Sequence, residues 1–82
     1  MNKYPKLKSV QAIDSTTLLA EFDNHEFRRY SMARLLQNPI FEPLKNPALF
    51  KAVQIEVGGY AVSWNNEIDL SEYEIWTNGE KV

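Results

Sequence analysis

Between Val53 and Trp64 the chain alternates large apolar side chains with small or polar ones on both sides of a glycine pair, and no other stretch limits its folding so tightly. Val53, Ile55 and Val57 alternate with Gln54 and Glu56; Tyr60, Val62 and Trp64 alternate with Ala61 and Ser63. A period of two belongs to a β-strand with one buried face. Gly58-Gly59 supplies the positive φ that a two-residue hairpin turn demands. Such a turn pairs Val57 with Tyr60, Ile55 with Val62 and Val53 with Trp64, placing all six large side chains on one face. A slip of one residue would turn that face to water, so the register is well specified.

A second hairpin lies upstream. Residues 7–13 read as a first strand, Asp14-Ser15-Thr16 as a turn, and Thr17 to Phe22 as a second strand with Leu18, Ala20 and Phe22 on one face. After Asp23-Asn24-His25, Glu26 to Tyr30 returns as a third strand. Its register is open: a two-residue loop pairs Glu21 with Arg28, and a three-residue loop with a bulge pairs Phe22 with Glu26. Ser31 caps a short helix over residues 32–37, which Asn38-Pro39 ends. Residues 40–50 form an irregular apolar connection in which Asn46-Pro47 has the order that opens a helical turn. Asn65-Asn66 turns the chain, residues 67–70 are extended, and Ser71 and Glu74 have capping-box spacing. A last helical turn carries Tyr73, Ile75 and Trp76, and residues 77–82 read as a frayed tail.

The expected class is α+β: a small antiparallel sheet of two hairpins and about five strands, one short helix and a C-terminal helical turn. Eighty-two residues allow a single domain over 1–82, with its ordered core at about 5–76. A chain 44% hydrophobic is too apolar to remain disordered. With no cysteine, disulfide frameworks, thiolate metal sites and cysteine nucleophiles are excluded, which fits a cytoplasmic address. No apolar stretch approaches membrane-spanning length, so no membrane association is expected. Charge is uneven. Residues 1–51 hold eight Lys/Arg against five Asp/Glu, and residues 52–82 hold Lys81 against six acids, giving +3 and −5.

The run Phe22-Asp23-Asn24-His25-Glu26-Phe27-Arg28-Arg29-Tyr30-Ser31, followed by Leu35-Leu36, resembles a family in which an F-x-(N/D)-G-E turn leads to an aromatic, a small cap and two leucines. Phe41, Leu44-Lys45, Phe50 and Val53 fit the same pattern, as do Trp64, Ile68-Asp69-Leu70 and Trp76. Together they resemble domain-of-unknown-function family 2442 (DUF2442), small and mostly bacterial domains, over about residues 5–76. His25 stands where the family usually has glycine, and Ser31 where it has aspartate. The first departure places His25 in a left-handed turn position and favours the three-residue loop. The resemblance implies a fold and no activity, although some members sit beside a second small protein in a toxin–antitoxin-like arrangement.

For catalysis the sequence offers little. The only histidine, His25, falls on a turn tip, and Gly58-Gly59 lacks the length of a phosphate loop. Glu67 and Asp69 share a strand face two residues apart and form a carboxylate pair or half of a cation site, unless Asp69 instead orders the turn near Ser71. Neither an enzyme nor a cofactor or metal site is expected. Arg28, Arg29 and Arg34, with Tyr30 between them, are candidate nucleic-acid contacts, opposed by the acidic balance of the chain. Ile40, Phe41, Leu44 and Trp76 are the candidate protein-binding surface, either for a homodimer or for a small hetero-complex. The expectation is a non-catalytic interaction module, one component of a two-gene bacterial system, with nucleic-acid binding as the alternative.

Overall fold

The computed structural model describes residues 4–65 and 67–82, so Asn66, half of the expected Asn65-Asn66 turn, lies outside the described residues. Strands β1 (Leu7–Ala12), β2 (Thr17–Phe22) and β3 (Phe27–Ser31) form a meander, with an irregularity in β1 between Leu7 and Ser9. Asp14 Oδ1 accepts the Thr16 N–H at 2.9 Å and closes the first turn. At the second, Phe22 N donates to the Glu26 carbonyl at 2.9 Å and Glu21 stands opposite Phe27. The open register is therefore that of the three-residue loop, with His25 in the left-handed region at φ 72°.

The helix expected over residues 32–37 shrinks to a 3-10 turn at Leu35–Gln37, because Pro39 stops the chain before an α-helix can propagate. Ser31 Oγ still accepts the Ala33 N–H at 3.3 Å. The connection read as irregular is more ordered than expected: a 3-10 segment at Pro39–Lys45 leads into helix α1 (Pro47–Lys51). Asn46 Oδ1 accepts from Ala48 N at 2.9 Å, the capping expected of an Asn-Pro start.

Strands β4 (Gln54–Ile55), β5 (Ala61–Ser63) and β6 (Asp69–Ser71) make a second, three-stranded antiparallel sheet. The register expected of the glycine hairpin is present, with Ile55 opposite Val62. Its tip differs. Pairing ends where Glu56 N donates to the Ala61 carbonyl, and Val57–Gly59 curl into a 3-10 turn with Gly58 at φ 85° and Gly59 at φ 75°. A Cβ on Gly59 would lie 2.5 Å from the Leu7 carbonyl oxygen, so the glycine lets the tip close onto the start of β1. Only four of the six alternating side chains therefore reach the core. Val62 and Trp64 are buried, Val53 and Ile55 half-buried, and Val57 and Tyr60 point to water at 96% and 59% exposure.

Helix α2 (Glu72–Asn78) starts where Ser71 Oγ accepts the Glu74 N–H at 3.1 Å. The segment read as a frayed tail completes this helix and then adds a strand, β7 (Glu80–Lys81), beside β3, so the larger sheet runs β1-β2-β3-β7. The core gathers Leu18, Ala20 and Phe22 from β2, Leu44 and Phe50 from the connection, Val62 and Trp64 from β5 and its end, and Ile75 from α2. Trp64 ties the small sheet to α1: its indole N–H donates to the Phe50 carbonyl at 3.0 Å, and the two rings stack. The fold is thus α+β with two antiparallel sheets.

Candidate interaction surface

The three arginines do not form a common surface. Arg28 alternates inward, is 9% exposed, and lays its guanidinium over the Trp76 ring at 3.8 Å. It also donates to the Trp76 carbonyl at 3.3 Å and to Glu26 Oε1 at 3.1 Å. Arg29 points to the opposite face and pairs with Glu80 at 3.0 Å. Arg34 alone is exposed without an ion pair among the described residues. A phosphate backbone would meet one free guanidinium here, and sheet alternation separates the other two.

The predicted apolar surface divides similarly. Leu44 is fully buried in the core, a correction to its place on a partner surface. Phe41 and Trp76 are half-buried and packed on that core, Trp76 also meeting Phe22 edge-on at 5.1 Å. Ile40 remains outside at 64% exposure. The loop carries these apolar residues because Leu44 and Phe50 join the core and Phe41 and Leu49 pack against it.

Glu67 is exposed and does not line the hollow in which Asp69 lies. Asp69 stands opposite Ser63 and lines a polar hollow of about 420 Å³ with Gln54, Glu56, Ser63, Trp64 and Asn65. The turn after Asp69 takes its side-chain cap from Ser71.

What the sequence reading missed lies at the end of the molecule formed by the hairpin tip, the approach to β1 and the start of α2. Tyr60, Tyr73 and Tyr4 are exposed there at 59%, 49% and 41%, beside Val57. Tyr4 meets Tyr73 edge to face at 4.7 Å. Lys6 holds the group together: its Nζ lies 4.4 Å from the Tyr60 ring centroid and 3.1 Å from Glu72 Oε2. Glu72 N donates to the Tyr60 carbonyl at 2.9 Å, fixing α2 to the hairpin. A Cβ on Gly58 would sit 2.6 Å from Tyr60 Cε2, so the ring occupies space that only glycine leaves free. Tyr60 is thus exposed yet packed, with Gly58 leaving room at its ring edge and an ammonium at its face. A signal for this end exists in the sequence: Tyr4 stands beside Pro5, Tyr60 beside Gly59, and Tyr73 in the first turn after the Ser71 cap, where amphipathic tyrosine sits at the surface.

Fold and surface together define a small α+β domain with two antiparallel sheets and a tyrosine-bearing end. Residues 7–81 match the model of the family described as protein of unknown function (DUF2442), and the chain belongs to that family. No curated protein and no solved structure matches it. No helix among the described residues is long and apolar enough to cross a membrane.

Proposed function

We propose that this domain is a non-catalytic protein-interaction module whose contact surface is the tyrosine end. The observation that supports it is Tyr60, more than half exposed and yet packed over Gly58 with the Lys6 ammonium at its face. An exposed side chain ordinarily loses rotamer freedom on binding; one already ordered loses less, and the gain appears as affinity. Tyrosine also brings large area and a hydroxyl at low entropic cost, which is why it is enriched at interfaces. In the finer form of this reading the partner is the product of an adjacent gene in a two-gene, toxin–antitoxin-like system. The nucleic-acid alternative has no comparable support, since Arg28 and Arg29 are engaged within the molecule.

The test is capture of the adjacent gene's product by the full chain, with and without nuclease. Capture that survives nuclease and is lost in Tyr60→Ala and in Val57→Glu is the expected result; both positions are exposed, so the fold is retained. Capture abolished by nuclease, or indifferent to both substitutions, would overturn the reading.

A further inference from the structure

The chain twice builds the same receptor for a cation, an aromatic ring beside a carboxylate, and fills it from within. Trp76 and Glu26 hold the Arg28 guanidinium, at 3.8 Å from the ring centroid and 3.1 Å from Oε1. Tyr60 and Glu72 hold the Lys6 ammonium, at 4.4 Å and 3.1 Å. Each combines attraction to the ring face with an ion pair, which at Arg28 is also a hydrogen bond.

A third such combination stands open. Tyr4 and Asp23 line one hollow of about 400 Å³ with Pro5, Lys6 and Asn24. Asp23 is anchored, since its Oδ1 accepts the Lys6 N–H at 3.2 Å and its own N–H donates to the Lys6 carbonyl at 2.8 Å. The Tyr4 ring is braced by Tyr73. Lys6 also lines the hollow, but its ammonium is engaged at Glu72 and Tyr60. Among the described residues no cation pairs with the Asp23 carboxylate.

We infer that this hollow receives an arginine or lysine side chain from a basic segment of a partner protein. The inference rests on the interaction reading above and names its partner by charge complementarity. Asp23 lies beside Tyr4 in the hollow and Glu72 beside Tyr60, with Lys6 as the one described cation shown among them, so the end presents an acidic, aromatic surface. That surface repels a phosphate backbone and suits a basic peptide.

The probe is a short glycine–arginine peptide titrated into the isotope-labelled full chain, against a matched glycine–glutamate peptide, with amide resonances as the readout. The arginine peptide shifts Tyr4, Asp23 and Tyr73, and the glutamate peptide does not. Asp23→Asn keeps the oxygen that accepts the Lys6 N–H, so the turn survives, while affinity falls about tenfold. Tyr4→Leu weakens binding in the same direction, and Glu42→Gln, at a distant exposed acid, leaves it unchanged. Equal losses in Asp23→Asn and Glu42→Gln would reveal diffuse attraction and overturn the inference. So would shifts of the same resonances on concentrating the chain alone, which assign the hollow to a second copy, or on adding a single-stranded oligonucleotide. If capture of the adjacent-gene product depends on Tyr60 but is untouched by Asp23→Asn, the interaction reading stands and this inference falls.

Discussion

At Tyr30 a buried phenol donates to Glu74 Oε2 at 2.8 Å, joining β3 to α2. Burial first, and the Glu74 carboxylate second, hold its hydroxyl well above the ordinary value of 10.0. The neutral phenol is therefore favoured in the folded state, and its contribution is complete below that value. As pH rises past it the unfolded chain ionises first, and the contribution is lost in the alkaline range. Tyr30→Phe should be less stable than the parent near neutrality by about 1 kcal/mol, the net worth of one hydrogen bond. The gap should narrow as pH rises from about 10 to 11, read from urea midpoints; an unchanged gap would contradict the assignment. His25 offers a second test at this scale. Its φ of 72° costs an L-residue what glycine does not incur, so His25→Gly should raise stability by about 0.5–1 kcal/mol in the same assay. This conformation was legible in advance, because a histidine replaces the glycine of a recognisable turn.

Among the elements, α2 depends on one side chain from another part of the chain. Arg28 reaches from β3 to stack on Trp76 and bond its carbonyl, and Gly79 lets the chain pass close, since a Cβ there would lie 3.0 Å from Arg28 Cβ. Arg28→Ala should cost on the order of 2–3 kcal/mol by leaving that carbonyl without its partner and the ring without its cover. Arg28→Lys should restore little, because an ammonium cannot stack flat and fork to two acceptors. Thermal unfolding of both variants, with near-ultraviolet dichroism of the tryptophans, checks this. Elements with a strong local signal were legible: β2 follows from alternation, and the β4–β5 register from alternation together with the glycine turn. Those whose existence depends on distant contacts were not. Strand β7 is two charged residues, Glu80 and Lys81, with no alternation to announce it, and it forms because β3 offers an unpaired edge. The Leu35–Gln37 turn has helix-forming residues, but the proline at 39 leaves too few of them.

Across the whole molecule, the charge partition visible along the chain does not survive folding. Lys6–Glu72, Arg29–Glu80 and Lys81–Glu26 each join the basic first part to the acidic second, so the two halves become one interleaved surface. Linear charge asymmetry could not foretell this, because the paired residues are 51 or more positions apart in all three pairs. The candidate surface was hidden for a related reason. Alternation predicts which way a side chain points only while strand pairing lasts, and Tyr60 lies one residue beyond the last paired bond. The tip glycine that ends the pairing also gives the molecule a spectroscopic handle. One α-proton of Gly58 is directed at the Cδ2–Cε2 edge of the Tyr60 ring, where a Cβ would be 2.8 Å and 2.6 Å from those atoms. Ring current should displace that proton's resonance from the usual glycine position, and Tyr60→Ala should return it. In the intact protein, a visitor that tilts the aromatic plane would announce itself through a glycine it never touches.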